Sequence, residues 1–241
     1  IYQSGQPDWI ELSGQAAEQE GRPSACGRRS IGPIHIVSSF TRQRQLARCS
    51  PSELERSRAV RLNHLLGAQA FSVKARGTLI HRFFSLVEWI ENGLPAPEVL
   101  MREKRRLYQK LDDLDCTVEQ FLAAVSQPVI KEVLSYNRAA EHGGRPEVYR
   151  EFPFICREKG GIMSGVFDRL VLWSEDGRVK RAEVLDFKTE SLSLQPLETL
   201  VSAYQPQMEA YRRAAGQIYR LSPENVFAKL VFVDRAVTVA V

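Results

Sequence analysis

The sequence has little of what would place it in several common classes. Its four cysteines, Cys26, Cys49, Cys116 and Cys156, are scattered along 241 residues. No CxxC pair occurs, so the paired thiolates of a zinc ribbon or a redox motif are missing. Such scatter fits reduced thiols in a cytoplasmic protein, although one disulfide is compatible with it. No apolar run approaches the ~20 residues of a membrane-spanning helix. No basic segment followed by an apolar core marks a secretory leader, so a membrane is not an expected partner. A GxxxxGK[ST] loop for nucleotide phosphates is absent, as is any internal repeat. Charge is not strongly of one sign: 33 Lys and Arg against 29 Asp and Glu leave +4. That excess permits nucleic-acid binding without requiring it.

What is present is ordinary core-forming composition, 44% hydrophobic and 26% charged, enough for one large domain or one domain with an appendage. The chain begins at Ile1 in mid-pattern, which reads as a piece of a longer protein. Residues 1–30 are rich in Gly, Gln, Ser, Glu and Arg, with one short element hinted by Trp9, Ile10 and Leu12. A strand is predicted at 33–38. The following TRQRQLARC carries Arg42, Arg44 and Arg48, and reads either as a solvated linker or as a nucleic-acid-contacting segment. Residues 1–49 are expected to be a linker or the tail of a preceding domain, and residues 50–241 the main domain.

Ser50-Pro51-Ser52-Glu53 has the signature of a helix start, with a capping serine, proline at the first helical position and glutamate three residues on. Helical spacing of Leu79, Phe83, Leu86, Val87 and Ile90 predicts a helix from Lys74 to Asn92, ended by Asn92-Gly93 and Pro95. Gly77 lies inside it, which implies close approach by another backbone or by a ligand. Residues 96–111 read as an amphipathic helix with a basic face of Arg102, Lys104, Arg105, Arg106 and Lys110. Further helices are predicted at 117–125 and 128–140. The period then changes to two, with strands at 147–156, 162–173 and 181–188, and Asp176-Gly177 marking a hairpin. A long helix over 196–220, kinked or restarted at Pro206, precedes strands at 225–233 and 237–241.

Chemistry gathers at residues 163–190. Strict alternation puts Val166, Asp168, Leu170 and Leu172 on one face, and Val184, Asp186 and Lys188 on one face of the next strand. Acids on otherwise apolar strand faces are costly unless paired or metal-bound, and two of them together repel. A hard divalent cation relieves both problems. A salt bridge from either acid to Lys188 or Arg169 accounts for the triplet taken alone equally well.

The company of the triplet is more specific. GVFDRL, then LDFKTE, then Gln207-Met208-Glu209-Ala210-Tyr211 resembles the PD-(D/E)xK nuclease superfamily, in particular its RecB-like branch at the C-terminus of RecB and AddA helicase–nucleases. Gly77 to His81 looks like the branch's helical GxxxH element, and Glu151 in REFPF like its strand glutamate. Asp168 matches its first metal aspartate; Asp186, Phe187 and Lys188 match D-x-K; Gln207 and Tyr211 match QxxxY. The resemblance spans roughly residues 70–235. It implies an α/β, restriction-endonuclease-like core, a central mixed sheet flanked by helices and preceded by a mostly helical segment. The implied activity is metal-dependent cleavage of DNA, exonucleolytic on single-stranded ends, in repair and recombination. The implied ligands of Mg²⁺ or Mn²⁺ are His81, Asp168, Asp186 and the Phe187 carbonyl, with Lys188 serving the attacking water. Glu151 is an acid of the metal shell, a base, or a polar edge residue. Gln207, Tyr211 and Tyr204 are expected along the DNA, with packing as the plain alternative. The iron–sulfur members of the branch cluster three cysteines downstream; nothing clusters after Tyr211, so no Fe–S cluster is expected. ATP would act only through a helicase portion outside this chain, upstream or in a second subunit. The alternatives are a stand-alone exonuclease of the same fold and an inactive DNA-binding or scaffolding module.

Overall fold

The hairpin of the third and fourth strands organises the molecule. Asp176 and Gly177 both take positive φ, 51° and 72°, the two left-handed positions of the turn type that matches strand twist. In the computed structural model, residues 47–54, 68–108, 116–158, 160–189 and 195–241 are described. The element around Trp9, the strand at 33–38, Arg42, Arg44, Cys26 and Lys110 lie outside them. The elements in order are β1 (Ala47–Cys49), a 3-10 turn (Pro51–Leu54), α1 (Ala68–Ser85), α2 (Pro97–Leu107), α3 (Thr117–Ser126), α4 (Pro128–Leu134) and α5 (Tyr136–Ala140), with a second 3-10 turn (Ile90–Asn92) between α1 and α2. Then come β2 (Arg145–Glu158), β3 (Gly161–Glu175), β4 (Arg178–Lys188), α6 (Leu197–Tyr219), β5 (Val226–Phe232) and β6 (Val237–Ala240), with further 3-10 turns on either side of β5. This is the expected mixed sheet flanked by helices, with a helical segment ahead of it.

Among the described residues the sheet has six strands. β2 runs antiparallel along nearly all of β3, so β1 and β4 share the other edge of β3. β4 holds residues 169–175 antiparallel and β1 holds residues 161–163 parallel. β4 pairs β5 in parallel and β5 pairs β6 antiparallel. The strand Ala47–Cys49 falls within the stretch expected to be linker. On one face of the sheet, α6 packs Leu200, Met208, Ala210 and Ala214 against Leu170, Val184, Leu230 and Phe232. On the other, α1 with α2, α3 and α4 packs Leu79, Phe83, Phe84, Phe121 and Ile130 against Leu185, Phe187 and Val231. Phe84 stacks on Phe187 at 4.1 Å with planes 8° apart.

The helical segment departs from expectation in three places. α1 stops at Ser85 rather than Asn92, because the backbone carbonyls of Val87 and Glu88 turn inward to a buried side chain, Arg169. Its guanidinium donates to them at 2.9 and 2.6 Å and lies 5.0 Å from the Trp89 ring. Burial, reinforced by the charge of Arg150, pulls its pKa down to about 9. Residues 128–140 form two helices, broken at Ser135, whose hydroxyl and following amides bind Glu91. The basic face of α2 is also thinner than the spacing implies. Lys104 is buried, and so is Glu103, which meets Arg82 at 2.8 Å. Arg102, Arg105 and Arg106 remain exposed. Pro206 neither starts nor ends a helix; α6 runs through it.

Arg169 thus ties β3 to the chain leaving α1. Replacing it with Met would leave two inward carbonyls without donors, a loss of about 2–4 kcal/mol. Urea denaturation of Arg169→Met should show a lower midpoint at unchanged m; an unaltered midpoint would refute the tie.

Candidate metal and phosphodiester site

The site lies where the sheet divides. Pairing of β3 with β4 ends at Arg169 and Leu185, while β4 stays bonded to β5 as far as Lys188. β3 meets a new edge partner, β1, only at residues 161–163. Between them, residues 164–168 of β3 face a fork. The amide of Phe187 has lost its ladder partner there and donates instead to Oδ2 of Asp168 at 2.9 Å.

Asp168 reaches that amide because the strand alternation breaks beside it. Leu170 and Leu172 face α6, yet so do Phe167 and Met163, which have the opposite parity. β2 makes the same change: Tyr149 faces α6, and then Phe152, Phe154 and Cys156 do. The cause is Glu151, whose φ of +46° sits between the pairs Arg150–Arg169 and Phe152–Phe167. A residue in left-handed conformation turns the following side chains over. Asp168 therefore does not share a face with Leu170 and Leu172, as strict alternation predicted. It joins Glu151 on the α1 side of the sheet.

There it meets His81. Nδ1 of His81 is 3.2 Å from Oδ2 of Asp168, and ligand atoms of His81, Glu151 and Asp168 all lie within 4.8 Å of one another. α1 is held over the fork at several points. Arg76 donates to the Thr189 carbonyl at 3.1 Å and to both oxygens of Asp234. A Cβ on Gly77 would stand 3.0 Å from the Thr189 hydroxyl, so the neighbour at this glycine is a side chain just beyond β4 rather than another backbone. Burial depresses the basicity of His81, but the Asp168 carboxylate outweighs it and the net shift is upward. Glu151 is also shifted up, by partial burial first and by the charge of Asp168 second.

Asp186 and Lys188 occupy the other side, toward α6. Nζ of Lys188 is 2.9 Å from Oδ2 of Asp186, 2.9 Å from Oε1 of Gln207 and 4.1 Å from the centre of the Tyr204 ring. Gln207 is in turn 3.4 Å from the Tyr211 hydroxyl. Burial pushes the Asp186 carboxyl up to about 6, against the attraction of Lys188, and the charge of Asp168 adds to the rise.

Of the residues singled out by sequence, His81, Glu151 and Asp168 are the three whose ligand atoms all lie within 4.8 Å of one another. Asp186 stands outside that set, paired to Lys188. The carbonyl of Phe187 faces the fork, since a strand residue's N–H and C=O point to the same side. Tyr204, Gln207 and Tyr211 are 5%, 3% and 5% exposed. They pack beneath Lys188 rather than lie open along a surface path. Arg169, set among possible salt-bridge partners by sequence, meets neither acid. Its role escaped the sequence reading because no local pattern marks a guanidinium bound to carbonyls some 80 residues earlier.

One imidazole nitrogen and two carboxylates suit a divalent cation such as Mg²⁺ or Mn²⁺, the imidazole leaning toward Mn²⁺. The model of the PD-(D/E)XK nuclease superfamily matches residues 38–239, from ahead of β1 into β6. No curated protein matches the chain.

The shift at Asp186 has a measurable sign. Its folded pKa, about 6, exceeds the ordinary 3.8, so the folded chain holds this proton more tightly than the unfolded one. The cost of the buried charge is fully present above pH 6 and disappears as pH falls through 6 toward 3.8. In EDTA, denaturation of wild type and Asp186→Asn at pH 7.5 and pH 4.5 should show the wild type gaining on the variant by about 1–3 kcal/mol at the lower pH. A constant difference would refute the shift.

Proposed function

The chain belongs to the PD-(D/E)XK nuclease superfamily, and from that premise we propose that it is a metal-dependent DNA nuclease. The observation that carries the reading is the convergence of His81, Glu151 and Asp168 within 4.8 Å, beside the Asp186–Lys188 pair. Glu151, Asp168 and His81 would hold the cation, with Asp186 beside them completing its surroundings. A bound Mg²⁺ or Mn²⁺ polarises a phosphate and lowers the pKa of a water.

The chain's own groups do the rest. Lys188 presents a cation at the fork, where charge develops on the scissile phosphate and the attacking water. Gln207 and Tyr204 are positioning residues: one accepts from Nζ, and the other sets an aromatic face under it, which is worth most when desolvated. Tyr211 steadies Gln207.

The finer reading is exonucleolytic cleavage of single-stranded ends by a RecB-like nuclease domain, residues 50–241, of a cytoplasmic helicase–nuclease acting in repair and recombination. Its ATP-driven motor would lie outside this chain, upstream in the same protein or in a second subunit. What favours that branch is His81, a donor supplied by a helix through a GxxxH element and meeting the strand acids directly.

The test is cleavage of an end-labelled single-stranded oligonucleotide by the full chain with Mg²⁺ or Mn²⁺. Asp168→Asn, Asp186→Asn and Lys188→Gln should each lower the rate at least about 10²-fold. Tyr204→Leu should lower kcat about ten-fold while leaving Mn²⁺ affinity unchanged. His81→Ala should weaken Mn²⁺ binding by ten-fold or more. Cleavage that survives Asp186→Asn and Lys188→Gln would overturn the assignment.

A further inference from the structure

Beyond the donor set, the outer half of the β2–β3 hairpin presents a face that no described helix covers. After the change of alternation at Glu151 and Asp168, the side chains on this face run in cross-strand rows. Glu151 and Asp168, which lie between the Arg150–Arg169 and Phe152–Phe167 pairs, begin the face; Pro153 and Val166 form the second row, Ile155 and Ser164 the third, and Arg157 and Ile162 the fourth. Ile155 is 59% exposed and Val166 39%; Pro153 and Arg157 are exposed as well. Among the described residues, Ile155 and Val166 are the only large apolar side chains of the sheet so exposed. They begin one row from the two acids.

Basic side chains also gather near the donor set. Arg82 follows His81 on α1, pairs with the buried Glu103 at 2.8 Å and acts on Glu151 as well. Arg106, with a side chain 71% exposed, lies 3.9 Å from the same Glu103 oxygen, and Arg102 also bears on it. Three guanidinium groups thus surround one carboxylate, which leaves a surplus of positive charge beside the metal ligands.

We propose that the Pro153–Ile155–Val166 face receives the unpaired bases of a single DNA strand whose phosphates run past the donor set and the Arg82, Arg102 and Arg106 rim. This rests on the nuclease reading and adds to it a physical basis for choosing single strands. The side chains of Pro153, Ile155 and Val166 offer no hydrogen-bond donor to a phosphate, but they offer a flat surface to the faces of bases, which any sequence can use. In a duplex those faces are stacked on one another and turned away. Consecutive rows are about 6–7 Å apart, so the strip has room for two or three bases. A protein partner fits it poorly, since three apolar side chains bounded by Glu151, Asp168 and Arg157 are far fewer than the roughly 20–30 residues a stable interface takes from each side.

The experiment measures binding in the full chain carrying Lys188→Gln, which keeps the cation donors and suppresses cleavage, with Mn²⁺ present. The probes are a fluorescein-labelled 12-mer of thymidylate, the same backbone with abasic interior positions, and a blunt duplex. The chain should bind the base-bearing strand about ten-fold more tightly than the abasic one. Adding Ile155→Ser with Val166→Ser should erase that preference and leave affinity for the abasic strand and the duplex within two-fold. Adding Arg102→Gln with Arg106→Gln should instead weaken both single strands alike and reduce the salt slope by roughly 1.4. The inference is overturned if the parent shows no preference for bases, or if the serine pair leaves it intact or weakens all probes equally. It is also overturned if light scattering finds a dimer that the serine pair dissociates, since the face would then be a contact between copies. Failure of the nuclease reading looks different: preference for bases present and lost as described, with no cleavage by the chain retaining Lys188.

Discussion

The amide of Phe187 sits where β4 has lost β3 as a neighbour and the hydrophobic core begins. An unbonded amide there would cost on the order of 1–3 kcal/mol, and Oδ2 of Asp168 supplies the acceptor at 2.9 Å. To do so Asp168 must leave the alternation of its own strand, and the left-handed backbone at Glu151 makes that turn. The same turn brings the Glu151 carboxylate beside Asp168. One backbone hydrogen bond therefore fixes the spacing of two acids, and His81 closes the set from above.

The sheet separates the two halves of the chemistry and the fork joins them. On one side α1 delivers His81, held by Arg76 at mid-helix, by the Phe84–Phe187 stack at its C-terminal end and through Arg169 just beyond that end. On the other side α6 delivers no reacting group of its own; it seats Lys188 with Tyr204 and Gln207. Had β3 and β4 remained paired past residue 169, backbone would lie between Asp168 and Asp186. Because they part, Asp186 feels the charges of both Asp168 and His81, and groups on opposite faces act on one volume.

Much of this was legible in the sequence where a local rule and the tertiary structure agree. The Asp176–Gly177 hairpin, the strand succession from residue 145 onward and the packing of Leu185 and Phe187 away from Asp186 follow from turn chemistry and period two. Gly77 announced a close contact, but with a side chain, the Thr189 hydroxyl, and not with the backbone it implied. What the sequence concealed were features whose causes are non-local. Nothing in REFPF signals that Glu151 takes a conformation more typical of Gly or Asn, so strict alternation misassigned the face of Asp168. The apolar spacing through Leu86, Val87 and Ile90 is real, but Arg169 captures the carbonyls that would continue the helix. Gln207 and Tyr211 were recognisable as a pair on one helix face; whether that face met solvent or Lys188 depended on the sheet beneath it.

Glu151 breaks a local rule at the site, and the break has a chemical return. Left-handed backbone in a non-glycine residue costs roughly 1–2 kcal/mol. Glycine would remove that strain and also remove the third donor, so the strain and the carboxylate come as one residue. The carboxylate then shares a small volume with Asp168, and both burial and that neighbouring charge raise its affinity for a proton; Asp168 does the same for His81. Protons thus do in part what a divalent cation does fully, neutralising acids that the fold forces together. On the proposed reading, cation uptake by this set would release protons and would strengthen as pH rises through the range in which His81 and Glu151 lose theirs. The geometry that makes the site receptive to a metal is the same geometry that makes proton and metal compete for it.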